Sequence, residues 1–193
     1  MHRNSQKRIY LDNYGFFTTI ITYKRFPYFQ EDIFCKLFTE ELLLSQKLKK
    51  FELYGYAIMP DHVHLLIRPN GKYNISQIMQ FIKRHFSRDA NFVITGEGDI
   101  RECRLRGGRY EFLQQKLEHH DQKTKKYHQQ VLQKYGRHQV KFPLFKWQRS
   151  FRDHIVRDER DLHNHLKYIQ NNRSPIKSSG MTIKIHNNQM VSK

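Results

Sequence analysis

Between Phe51 and Arg68 the chain holds a β-rich run, a Met59-Pro60-Asp61 interruption and a second β-rich run. Proline has no N–H for a ladder, so Pro60 marks a turn, and the two runs read as a hairpin. The second run opens His62-Val63-His64-Leu65-Leu66-Ile67. Side chains at i and i+2 of a strand share a face, so both imidazoles point one way. Two converging imidazoles are the usual beginning of a divalent-metal site.

The rest of the chain extends this hairpin. Residues 14–23 are aromatic and β-branched and predict a first strand. Phe29 to Lys50 predicts a helix, with Ile33, Leu37, Leu44 and Leu48 along one side. Ile75 to Phe92 predicts a second helix, Ser150 to Val156 a late strand, and Asp158 to Asn172 a last helix opened by an acidic first turn. The order β-α-β-β-α-(insertion)-β-α predicts an α+β fold of ferredoxin-like type: an antiparallel sheet with its helices packed on one face. At 193 residues one domain is expected over 1–193. Within it, 94–146 reads as a basic, partly helical insertion and 174–193 as a loose tail.

Thirty-five basic residues against eighteen acidic ones give a net charge of +17. That excess favours a polyanion. From Arg101 to Lys146 there are twelve Lys or Arg and four acids, including Arg104, Arg106 and Arg109. This segment is either a solvated surface or a contact for a phosphate backbone. Arg149 and Arg152 are further candidate phosphate contacts. No apolar run approaches the roughly 20 residues of a membrane span, and the first residues lack the apolar core of a signal peptide. A cytoplasmic, nucleoid-associated protein is expected, with Cys35 and Cys103 as reduced thiols.

Two ligands do not complete a metal centre. Tyr168 and Asn172, at i and i+4 on the last helix, share a face. If that face meets the histidine strand, Asn172 offers an amide oxygen and Tyr168 a phenol beside the ion. Phenols ionise near pH 10 and are weak nucleophiles at neutral pH. A metal that neutralises and positions a phosphate lowers the demand on them. Imidazole and oxygen ligands on a phosphate substrate suit Mg²⁺ or Mn²⁺. Asp61 could hold a ring tautomer from outside the ligand set. His154, on the late strand, is a second candidate for active-site support. His163 and His165 repeat the His-x-His spacing, but on a helix i and i+2 diverge by about 200°, so they are not read as a site. Tyr54, Tyr56 and Trp147 are read as core in preference to base-stacking platforms.

Three ordered blocks carry a family resemblance. Tyr56-Ala57-Ile58-Met59-Pro60-Asp61-His62-Val63-His64-Leu65-Leu66 resembles the HUH motif of the single-tyrosine transposases, and most closely that of the REP-associated branch. Trp147 to Glu159 is similar to that branch's second block, and Tyr168-Ile169-Gln170-Asn171-Asn172 to its catalytic helix. The resemblance implies that Tyr168 is the nucleophile and that His62, His64 and Asn172 hold a divalent metal. It implies single-stranded or hairpin DNA as substrate, cleaved through a 5′-phosphotyrosine and rejoined. The family's Asn-Pro pair is here Asn172-Arg173, with proline only at Pro175. This difference keeps open a relative that binds nucleic acid without cleaving it. Monomer and homodimer are both compatible with the sequence.

Overall fold

A computed structural model describes residues 11, 14–97, 114–136 and 142–172. Four strands, β1 (Phe16–Ile21), β2 (Glu52–Met59), β3 (His62–Arg68) and β4 (Arg152–Ile155), form one sheet in the order β2-β3-β1-β4. All three pairings are antiparallel. The helices are α1 (Asp32–Lys49), α2 (Ile75–Thr95), α3 (Gln114–Tyr135) and α4 (Glu159–Asn171). The β-α-β-β-α-β order of the ferredoxin-like fold is present, with α3 added before β4 and α4 after it.

Strand alternation assigns the two faces. Phe16 and Ile20 of β1 and Val63, Leu65 and Ile67 of β3 enter the main core with Leu37, Phe38, Ile82 and Phe86 of α1 and α2. Trp147 is buried there against Phe29 and Phe86, and Tyr56 joins the same core. The other face holds a smaller cluster, in which Tyr54, Ala57, Leu66, Val156 and Ile169 meet Phe17, Leu162 and Leu166. The helices therefore do not share one face. The apolar stripe of α4 is short, with Ile169 its one fully buried residue, so it covers only part of the second face.

The termini of α2 follow its sequence. Asn74 accepts from the Gln77 backbone N–H at 2.9 Å and Gln77 Oε1 accepts from the Asn74 N–H at 3.0 Å, a capping box. Gly96 closes the helix at φ +73°, and a Cβ there would stand 2.6 Å from His128 Nε2. Only glycine fits both the left-handed backbone and the approach of α3.

Over Gln114–Tyr135 the predicted basic segment is a helix seated on α1 and α2. Tyr127 and Val131 join the main core. The buried His120 Nε2 lies 2.9 Å from Asp89 Oδ2 and 3.4 Å from Glu41 Oε2. Glu40 accepts from Lys123 and Tyr127, both at 2.9 Å. Lys125 and Lys126 remain exposed on the outer side. Arg104, Arg106, Arg109 and Cys103 lie outside the described residues, whereas Cys35 is buried with a free thiol whose pKa burial raises to about 12. Among the described residues no helix is long and apolar enough to cross a membrane.

Candidate active site

His62 and His64 lie on the α4 face of β3, near the end of the sheet where β1 finishes. Their ring centroids are 4.8 Å apart and the planes nearly perpendicular, at 85°. Each ring is held through Nδ1. His62 Nδ1 is 2.6 Å from Asp61 Oδ1, and His64 Nδ1 is 2.9 Å from Thr19 Oγ1. An ionised carboxylate only accepts, so His62 donates from Nδ1 and its Nε2 is the atom left to face a ligand. The Thr19 hydroxyl can accept in the same way from His64. This is how ligating imidazoles are commonly oriented by partners outside the ligand set.

Electrostatics supports the neutral ring. Burial, followed by the neighbouring His62, pushes the pKa of His64 down to about 4. A neutral imidazole is the ligand form. Burial by itself raises the Asp61 carboxyl. Hydrogen bonds from His62 and from Arg25, whose Nη1 is 2.8 Å from Oδ2, outweigh it and hold the pKa below its ordinary value. Arg25 reaches Asp61 from a tight turn in which Lys24 and Arg25 both have φ of 54°. Two successive non-glycine residues at positive φ are costly and persist where surrounding contacts enforce them.

Helix α4 brings the phenol. Asp158 caps its start by accepting from the Asp161 N–H at 2.8 Å, and Glu159 and Asp161 make the acidic first turn. Ile169 and Leu166 pack over Gly55 of β2, where a Cβ would meet Ile169 at 3.5 Å, an ordinary contact. This seats Tyr168 over the histidines. Its hydroxyl is 3.4 Å from His64 Nε2, and its ring meets that of His64 edge-on at 5.1 Å. Tyr168 is 45% exposed, so the phenol stays open to an incoming ligand.

Asn172 is placed differently. It is the residue that ends α4, and its Nδ2 donates to the Tyr168 carbonyl at 2.9 Å. That bond caps the helix terminus and engages the amide nitrogen there.

Of the arginines, Arg152 is exposed in the row that crosses the sheet through Thr19, His64 and Ala57. Alternation puts it on the histidine face. Arg149 lies elsewhere. It lines an open cleft of about 630 Å³ with Ser76, Arg84 and Lys146, where Lys83 Nζ donates to the Gln148 carbonyl at 2.7 Å.

His154 has its own partners. Its Nε2 is 2.8 Å from Asp161 Oδ2, and Asp161 Oδ1 is 3.2 Å from His165 Nε2. The ring of Phe17 lies between His165 and His64, nearly parallel to both, with centroid distances of 4.3 and 5.3 Å. Sequence reasoning gave no role to Thr19, Phe17 or Asp161 and set His165 aside as a site. The i, i+4 spacing of Asp161 and His165 was the one local signal for any of them.

The chain has known relatives. Residues 13–94, from before β1 to the end of α2, match the family model described as Transposase IS200 like. A Haemophilus influenzae protein described as "Putative REP-associated tyrosine transposase" is 28% identical over 128 residues, 66% of this chain and 51% of that protein. The chain thus spans about half the length of that curated relative. A solved structure of a REP-associated tyrosine transposase bound to a REP hairpin is similar in fold, with a TM-score of 0.53 and 15% identity over 86% of this chain and 70% of that one. The resemblance to the tyrosine transposases holds over the strands that carry His62 and His64, and the α+β fold with its antiparallel sheet is that of the solved relative.

Proposed function

We propose that the protein is a metal-assisted DNA strand transferase that cleaves and rejoins single-stranded or hairpin DNA through Tyr168. The observation that carries this reading is the 3.4 Å approach of the Tyr168 hydroxyl to His64 Nε2, over a histidine pair whose Nδ1 atoms are already engaged. The donor set fits a divalent ion. His62 and His64 would hold it through Nε2, and Asn172 Oδ1 would join after the amide leaves the Tyr168 carbonyl. Bound Mg²⁺ or Mn²⁺ would polarise the scissile phosphate and neutralise its charge.

The residues of the chain account for the remaining steps. Tyr168 Oη attacks phosphorus and loses its proton. The bond from phosphorus to the 3′ oxygen breaks, that oxygen takes up a proton, and a 5′-phosphotyrosine is left. Attack by another 3′ hydroxyl reverses the exchange and restores the phenol. No bond energy is lost to hydrolysis, so rejoining needs no nucleotide cofactor. Arg152, in the same cross-strand row as His64, would hold a flanking phosphate, and Phe17 fixes the His64 plane. The approach of Tyr168 to His64 within one chain supports catalysis in cis.

One observation favours a second reading, a binding protein without cleavage: the Asn172 amide is occupied at its own helix end. The two readings separate in one experiment. A labelled REP-type hairpin oligonucleotide is incubated with the protein and Mn²⁺ or Mg²⁺ and run under denaturing conditions. A covalent adduct that disappears in Tyr168→Phe, while hairpin binding persists, is expected. Binding by the wild-type protein with no adduct in either metal would establish the second reading.

A further inference from the structure

We infer that His154, Asp161 and His165 form a second metal site, separate from the His62–His64 pair, for a divalent transition-metal ion of the zinc class. Their ligand atoms all lie within 4.8 Å of one another. Asp161 presents one oxygen to each ring, at 2.8 Å from His154 Nε2 and 3.2 Å from His165 Nε2. Neighbouring donors around an ion with bonds of about 2.0–2.2 Å stand roughly 3–3.5 Å apart. The three groups are therefore already close to the spacing of a coordination shell.

A carboxylate between two imidazoles can also be a purely structural hydrogen-bond bridge, and for His154 that account is sufficient. It does not cover His165. The Nε2 of His165 is buried, and its approach to Asp161 lacks the alignment of a hydrogen bond. A buried imidazole nitrogen without a partner is unfavourable, and a metal would supply the partner. The ring is also fixed in plane by Phe17, stacked on it at 15°. The two imidazole planes are tilted by 56° to each other, so their lone pairs approach from different directions. Two imidazoles and one carboxylate favour zinc, cobalt or manganese over magnesium or calcium. The positive end of the α4 dipole opposes a cation here, and Asp161 and Glu159 in its first turn offset that. His154 is 42% exposed, which gives the ion an entry path and leaves room for water or a phosphate oxygen as a further ligand.

The position gives the site a consequence. It joins β4 to the first two turns of α4, three residues before Tyr168. An ion bound there would clamp the helix that carries the phenol.

The test uses the full-length chain with His62→Ala and His64→Ala, so that the first pair contributes nothing and the result does not depend on its function. Zinc titration should give one bound equivalent. Asp161→Asn keeps the side-chain shape and acceptor oxygen but removes the charge. It should weaken zinc binding at least tenfold, since even outer partners of metal ligands are worth about 10–100-fold. Zinc-soaked crystals of the wild-type chain provide a readout that no folding defect can mimic. An anomalous peak about 2.0–2.1 Å from both His154 Nε2 and His165 Nε2 is expected. No zinc equivalent in the double variant, equal affinity in a folded Asp161→Asn variant, or an anomalous peak only elsewhere would overturn the site.

Discussion

The hydroxyl of Tyr168 stands 3.4 Å from Nε2 of His64, across 104 residues of sequence. The contact rests on an isoleucine that packs α4 onto β2 and a threonine that orients the imidazole. Each of these can be altered without touching the phenol or the imidazole.

Thr19→Val keeps the shape of the side chain and removes the oxygen that holds His64 Nδ1. Mn²⁺ affinity should fall about 10–100-fold, the usual effect of losing such a partner. Stability should fall by about 1 kcal/mol, because Nδ1 is left without its hydrogen bond. Titration with Mn²⁺ and urea denaturation measure the two effects. Unchanged affinity would mean that Thr19 does not orient a ligand.

His64 makes the stability of the fold depend on pH. Its folded pKa, about 4, lies below the unfolded value of 6.5. As pH falls through 6.5 the unfolded chain takes up a proton that the folded ring refuses until about pH 4. Stability should therefore be full above pH 6.5 and decline between 6.5 and 4. The loss is bounded by about 3 kcal/mol and is reduced where solvent reaches the ring. The difference between wild type and His64→Gln isolates this residue from the other histidines. A difference independent of pH across that window would contradict the depressed value.

Ile169 is fully buried between α4 and β2. Ile169→Ala should cost about 2–4 kcal/mol and slow adduct formation by loosening the helix under Tyr168. Gly55→Ala is the contrasting change. Its Cβ would meet Ile169 at 3.5 Å and Leu166 at 3.8 Å, ordinary contacts. It should be neutral or stabilising by up to about 1 kcal/mol. Thermal melts and adduct time courses on the same preparations compare the two.

Arg152 and Arg149 occupy different parts of the surface, one opposite Thr19 on the histidine face and one in the cleft against α2. If both touch phosphates, each alanine variant should reduce the salt dependence of single-strand binding by about 0.7 in the log–log slope. Arg152→Ala should also lower the adduct rate, because its contact would flank the scissile phosphate. Arg149→Ala should change binding alone. Fluorescence anisotropy over a salt series, read beside denaturing gels, distinguishes these outcomes.

How much of the site was legible follows the range of each signal. The His62–His64 pairing could be read from two residues, because strand alternation is a local rule. Asp61 lies next to the ring it orients, and Asp158 is a cap set by the sequence around it. The last helix could be read from its sequence, but not which side of the sheet it covers through Ile169. His165 was set aside because i and i+2 diverge on a helix. The relation that matters is with Asp161 one turn earlier, and with His154 on a strand that arrives through sheet pairing.

By itself the sequence determined the strands, the helices, the hairpin that aims two imidazoles one way, and the excess positive charge. These follow from steric periodicity and composition, which act over a few residues. The tertiary structure alone decided that α4 lies on the face opposite α1 and α2, that Tyr168 meets His64, that Thr19 and Phe17 support that ring, and that Asn172 binds its own helix end. Those outcomes depend on which apolar surfaces remain uncovered once the sheet has formed, and burial of that kind is a property of the whole chain.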